Sequence, residues 1–216
     1  MMTNSTGNPL DTGADELERS ALEECVKRQR VDRLVSVLIL TDKRCEMAIK
    51  FARLGAQVVV ANTLAHKQEI EGRILAAGMR DDITFATAAL SQLPDNLPNA
   101  PFDIIVLGSN LCSLPYDEAC RVVRQLLLKL KIGGKLYISL LGLHSELSEG
   151  YADRDLTIDQ RFSALSPTLA DKYEIRQPVC LYSERNLFTL LLEVGASVLR
   201  TLTTTYGNVK GIAVRV

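Results

Sequence analysis

The sequence predicts an α/β fold: a seven-stranded, mostly parallel sheet with helices on both faces, closed by a C-terminal antiparallel hairpin. Three observations carry that expectation. Short apolar runs of strand length alternate with stretches of helical periodicity through most of the chain, the pattern of parallel strands joined by crossover helices. Glycines and polar clusters punctuate the joints between them. The C-terminal stretch instead shows two strand-like runs joined across Thr204 to Lys210, with Gly207-Asn208 as turn residues, which is a hairpin.

Taken in order, residues 1–13 are polar, with few apolar groups, and read as a disordered tail ahead of a single domain at 14–216. From Ala14 on, Leu17, Leu22, Cys25 and Val26 recur at helical spacing, with acids early and bases late as the helix dipole prefers. Val35–Leu40 is an apolar strand, Glu46–Leu54 a helix, and Gly55 its cap. Val58–Ala61 is a second strand, and the next helix ends near Gly78. Ile83–Thr87 and Phe102–Leu107 make the third and fourth strands, separated by a proline-containing loop. The helix Tyr116–Lys131 buries Ala119, Val122, Val123, Leu126, Leu127 and Leu130, and Gly133-Gly134 turns the chain into a fifth strand, Lys135–Leu141. Residues 143–180 break the rhythm with a polar, mixed stretch, expected to be a cap insertion. A helix from Ser183 to Val194, closed by Gly195, leads to the hairpin strands Val198–Thr203 and Gly211–Val216.

Composition narrows the function classes. The chain has 216 residues, 47% apolar and 24% charged, with a formal net charge of -1, so no global basic field draws it to nucleic acid or a membrane. The run Lys27-Arg28-Gln29-Arg30 is flanked by acids and reads as a solvated helix face. Five cysteines, none in a CxxC pair, and two histidines give no zinc spacing, so no metal is expected and the thiols are read as free in a reducing cytosol. The N-terminus lacks a hydrophobic signal core and no apolar run is long enough to span a bilayer, so a soluble, cytoplasmic protein is expected.

Three segments, in order and at matching spacing, resemble the class I S-adenosylmethionine (SAM)-dependent methyltransferases: PFDIIVLGSNLCSLP, LLLKLKIGGKLYISLLG and LYSERNLFTLLLEVGASVLRT. The resemblance covers roughly residues 14–216. It implies a Rossmann-like sheet with the cofactor over its carboxyl edge, and SAM as cofactor if the protein is active, or no cofactor at all. In that family the first strand ends in an acid and a glycine-rich turn, where only glycine lets the backbone approach the ligand at positive φ. Aligned without gaps, those positions are Ile39, Thr41, Lys43 and Cys45, so the turn is expected to take another path. The ribose-binding acid at the end of the second strand is replaced by Asn62, which keeps one carbonyl acceptor but no charge. Ala89 stands where many members carry the adenine-binding acid. A charge-assisted hydrogen bond contributes about 1.5–3 kcal/mol, so losing two or three moves a micromolar ligand to millimolar.

The cofactor-binding candidates are therefore Asn62, Gly108, Ser109 and Asn110, the last three following the fourth strand at the edge where open α/β sheets bind ligands. Lys43 and Arg44 could receive an anion at a helix start, although a capping role for Thr41 or Asp42 is the plainer reading. His144, after the fifth strand, is either a general base or a loop histidine, and no catalytic residue is assigned. Tyr151, Asp153, Arg154 and Asp155 line a substrate site or form a solvated loop, and Cys112 reads as an inert buried thiol. Tyr206 and Lys210 form a YxxxK pair, the arrangement short-chain dehydrogenases place on a helix; in a hairpin turn the match is accidental.

These readings predict a methyltransferase-like pseudoenzyme that binds an unknown protein partner or an altered ligand. The alternative is an active methyltransferase with an atypical cofactor pocket acting on a small molecule. An oxidoreductase with a nicotinamide cofactor ranks below both, because its glycine fingerprint is missing too.

Overall fold

The computed structural model describes residues 16–31, 34–40 and 44–216. Helix α1 (Glu16–Gln29) precedes strand β1 (Ser36–Leu40), helix α2 (Glu46–Arg53) and strand β2 (Gln57–Asn62). Helix α3 (Lys67–Ala76), strand β3 (Ile83–Thr87), strand β4 (Phe102–Leu107) and helix α4 (Tyr116–Lys129) follow. The chain then forms strand β5 (Leu130–Leu140), helix α5 (Pro167–Tyr173), helix α6 (Glu184–Glu193) and the hairpin of β6 (Ser197–Thr203) and β7 (Val209–Val214).

The seven strands form one sheet in the order β3-β2-β1-β4-β5-β7-β6, in which β1 to β5 are parallel and β7 runs antiparallel to both neighbours. Side-chain alternation sorts the apolar residues into two cores. Val37 and Ile39 of β1 and Val58 and Val60 of β2 pack with Cys25, Phe51, Ile70 and Ile74 from α1, α2 and α3. Leu38, Leu40, Val59 and Ala61 face the other way, toward Val123 and Leu126 of α4 and Leu187 and Leu190 of α6. A sheet covered on both faces needs apolar residues at every strand position, which is why these strands read as continuous runs.

Most predicted elements fall within a residue or two of the observed ones. The main departure is at Gly133-Gly134. The expected turn is the opening of one long strand, β5, whose pairing with β4 steps from Phe102–Leu130 to Ile104–Lys135. The stepped segment finds its hydrogen bonds at the chain's end, where Gly133 N donates to Arg215 O (2.8 Å) and Arg215 N donates to Gly134 O (3.0 Å). A pairing between residues so far apart in sequence leaves no local signal.

The basic run at 27–30 is only in part a solvated face. Arg28 donates to Glu24 Oε1 (2.8 Å) and to Asp103 Oδ1 (3.3 Å), while Lys131 reaches Asp103 Oδ2 (2.8 Å) and Lys135 reaches Glu24 Oε2 (2.6 Å). Asp103, only 1% exposed, also accepts the Ser36 N–H at 2.9 Å. This cluster ties the end of α1 to the amino edge of the sheet, leaving the carboxyl edge to other uses.

Residues 143–180 pack down onto the α4–α6 side. Leu147, Tyr151, Leu165 and Leu169 are buried in that core. Arg161, which carries no sequence signal, is buried and donates to the backbone oxygens of Asp153, Leu156 and Leu181 and to Asn186 Oδ1. Tyr151 Oη donates to Val179 O (2.6 Å) and Asp153 Oδ2 accepts from Phe162 N (2.9 Å). Both side chains, candidates for lining a substrate site, serve the internal folding of this segment. Arg154 and Asp155 are exposed. The disordered tail expected at residues 1–13 lies outside the described residues.

Candidate functional site

At the carboxyl edge, Leu40 at the end of β1 is flanked by Ala61 on one side and Leu107 on the other. Asn62 and Gly108 are the next residues of the two flanking strands, so they stand two strand spacings apart, roughly 10 Å. The topology thus brings Asn62 and the segment Gly108–Asn110 to one stretch of one edge. Gly108 and Ser109 are half-buried and Asn110 is exposed, its carbonyl accepting from Ser113 Oγ (2.7 Å). Ala89 lies just beyond β3, bridged to Gln92, and offers only a methyl group where an adenine-binding acid was sought. Ala88 N donates to the Asn62 backbone oxygen at 2.9 Å.

The side chain of Asn62 is 4% exposed. Its Oδ1 accepts the Thr63 N–H at 2.8 Å, and its Nδ2 is buried with no hydrogen-bond partner. Because Thr63 N can only donate, this bond fixes the amide orientation. The acceptor expected at Asn62 thus already takes one hydrogen bond, and the other polar atom of the side chain is a donor. An orphaned buried donor costs about 1–3 kcal/mol. A carboxylate here would offer two charged oxygens to the ribose hydroxyls, whereas Asn62 offers one uncharged oxygen that already accepts from Thr63 N.

Of the turn after β1, residues 41–43 lie outside the described residues, and with them the capping and anion-binding expectations for Thr41, Asp42 and Lys43; Arg44 is exposed. Cys45 is fully buried and left-handed, with φ 58°. At this one position a cysteine holds a conformation that glycine adopts most readily; the path expected of the rest of the turn lies outside the described residues. A left-handed side chain costs about 1–2 kcal/mol. Cys45 belongs to the core shared with Ala48 and Phe51, whose packing opposes that cost.

Further along the same edge, the loop after β5 and the β6–β7 turn enclose a cleft of about 270 Å³ lined by His144, Glu146, Leu147, Tyr173, Tyr206 and Asn208, among others. Two glycines bring the loops together. A Cβ on Gly142 would lie 1.6 Å from Gly207 O, and one on Gly207 would lie 2.4 Å from His144 O. His144 is exposed at the cleft. The nearby Glu146 carboxylate accepts from Lys172 Nζ and from Tyr173 Oη (2.7 Å), and these bonds lower its pKa. Among the described residues no carboxylate is hydrogen-bonded to the His144 ring, so no partner marks it as a general base.

Cys112 is a buried structural thiol whose Sγ accepts the Leu141 N–H at 3.2 Å, and burial raises its pKa. Cys180, hydrogen-bonded through its backbone N–H to Cys112 O, has its thiol pushed up to about 12 by burial. Among the described residues no group of three or more His, Cys, Asp or Glu side chains is placed to hold a metal ion, and no helix is long and apolar enough to cross a membrane.

No family model and no curated protein sequence matches the chain. Many solved structures do. A SAM-dependent methyltransferase from Methanosarcina mazei superposes with a TM-score of 0.67 at 19% identity, covering 88% of this chain and 97% of that one. A SAM-dependent methyltransferase from Clostridium acetobutylicum gives 0.62 at 12% identity, covering 91% of each chain. An O-methyltransferase family 2 protein from Planctomyces limnophilus, solved with apigenin, gives 0.62 at 13% identity, covering 84% of this chain. The chain spans about half the length of that and related O-methyltransferase structures, 51% in the Planctomyces case. Likeness at this level establishes architecture, and the strand order and C-terminal antiparallel pair agree with it: the protein has the fold of the class I SAM-dependent methyltransferases.

Proposed function

We propose that the protein is a methyltransferase-fold binding protein, a pseudoenzyme whose pocket no longer matches SAM and which serves a protein partner or senses an altered ligand. One observation carries the reading: Asn62, at the ribose position, is uncharged, its side-chain oxygen already accepts the Thr63 N–H, and its other polar atom can only donate. Ala89 supports it by supplying no acceptor at the adenine position. The five free cysteines favour a reducing, cytoplasmic setting. Calorimetric titration with SAM and S-adenosylhomocysteine tests the reading; the expected result is no binding in the micromolar range, and a micromolar Kd for either would refute it.

A second reading is an active methyltransferase with an atypical pocket. It is favoured by Cys45, which keeps a left-handed backbone at the start of α2, and by the cleft at His144, which offers room for a small molecule. In that case Asn62 and residues 108–110 would hold SAM, and the methyl group it supplies would be directed by alignment with the substrate. If Asn62→Ala left turnover unchanged, that assignment would fail.

A further inference from the structure

We propose that the amino edge of the sheet docks on an anionic lipid surface, its projecting aliphatic side chains entering the headgroup layer and its bases meeting the phosphates. The inference goes beyond the reading above and stands whether or not the carboxyl edge binds SAM.

Val31 just beyond α1, Ile132 in the stepped opening of β5 and Leu128 in the last turn of α4 are 84%, 81% and 67% exposed. Apart from Val216, which follows Arg215 at the same edge, no other large apolar side chain among the described residues is exposed above 65%. Hydrogen bonds hold the three projections on one rim. Arg28, one turn before Val31, donates to Gly133 O, Gly133 N donates to Arg215 O (2.8 Å), and Arg215 Nη1 donates to Leu128 O (2.9 Å).

The rim is basic although the chain as a whole carries a formal charge of -1. Two buried acids, Glu24 and Asp103, are shared among three bases, Arg28, Lys131 and Lys135. Lys129 and Arg215 donate to backbone carbonyls, which leave their charge uncancelled. Lys27 and Arg30 add two exposed bases at the end of α1. The exposed acids nearby are Asp95 and Glu23, and Glu23 already faces Arg19 at 3.9 Å.

The residue types decide the occupant. Protein interfaces are enriched in aromatic residues and depleted in lysine, and Leu and Val are under-represented among their hot spots. Here the projecting residues are all aliphatic, and lysine supplies most of the bases. A headgroup layer suits both, because it admits separate apolar projections without a matching shape and attracts Lys and Arg to its anionic lipids. Strands β1 to β5 are parallel, so docking at the amino edge turns Asn62 and Gly108–Asn110 away from the bilayer.

The test is co-sedimentation of the full chain with vesicles of phosphatidylcholine, alone and with about one-third phosphatidylserine. Wild type is expected to bind the anionic vesicles at least about tenfold more strongly, and to lose most of that advantage at about 0.5 M salt. Ile132→Ser and Leu128→Ser, at positions that project from the core, should each weaken binding by about threefold or more. Lys27→Gln combined with Arg30→Gln should weaken it and flatten the salt dependence. Leu64→Ser, at a position 65% exposed just after β2 on the opposite edge, should leave binding unchanged. Circular dichroism checks that each variant is folded; should one serine variant at the amino edge misfold, the other decides. The inference is overturned if wild type shows no preference for anionic vesicles, if the folded amino-edge serine variants bind like wild type, or if Leu64→Ser weakens binding as much as they do. Soluble poly-glutamate supplies the protein arm: if it binds the chain while the vesicles do not, the edge is a protein surface and the inference falls.

Discussion

Replacing Gly207 with alanine should destabilise the protein by about 2–5 kcal/mol, from two separable causes. Gly207 has φ +82°, where an L side chain costs about 1–2 kcal/mol. A Cβ there would also lie 2.4 Å from His144 O and 2.5 Å from Ser145 N. Both are backbone atoms of a loop held by neighbouring strands, so the clash cannot be relieved by a rotamer change, and overpacking of this kind costs about 1–3 kcal/mol. Gly195 supplies the control, since it has φ +86° with nothing within 4 Å of its added Cβ. Gly195→Ala should therefore show the conformational cost alone, and the difference between the variants isolates the close approach. Urea unfolding followed by circular dichroism measures both, and in a chain of this size the difference corresponds to a Tm gap of roughly 2–12 °C. If Gly207→Ala were no more costly than Gly195→Ala, the two loops would not meet as described, and the cleft at His144 would lose its floor.

Other outcomes follow from the charge cluster and the thiols. Burial pushes the Glu24 pKa up, but hydrogen bonds and charge from Lys135 and Arg28 outweigh it and leave the pKa below 4.5. A depressed carboxylate pKa contributes stability above the unfolded value, lost as pH falls through the folded one. Wild type should therefore melt higher than Glu24→Gln at pH 7, with the gap closing as pH drops below 4.5; a gap constant into the acid range would remove Glu24 from the account. For the cysteines, burial pushes Cys25 up to about 11 and Cys180 up to about 12, and Cys120 alone is half-buried. Alkylation of native protein at pH 8, read by mass, should modify Cys120 at most, and all five only after unfolding; rapid labelling of Cys112 or Cys180 would contradict their burial.

The elements were largely legible because their signals are local. Strand β3 at Ile83–Thr87 and β4 at Phe102–Leu107 match the predicted bounds, since turn residues and apolar runs mark both ends. Ser183 and Asn186 form a reciprocal capping box that starts α6 where the sequence places it. The site was legible only as an address. Asn62 and Gly108–Asn110 are located by strand ends, but the hydrogen bonding of Asn62 is not, because it depends on a bond to Thr63 and on burial that only the fold sets. Tyr151 and Asp153 looked like candidate site residues because a polar segment gives no sign of how it packs against itself. Arg161 was missed altogether, its partners being carbonyl groups that any sequence possesses.

What the chain's own order of residues determined is the layered α/β architecture and the edge at which a ligand would sit, because periodicity and helix-strand alternation encode burial within a few residues of each position. The tertiary structure alone decided which groups that edge presents. The donor left open at Asn62, the left-handed cysteine at the start of α2 and the interlocked Gly142 and Gly207 depend on groups brought together by the fold, and a hydrogen bond or a backbone contact across such a span leaves no trace in local sequence.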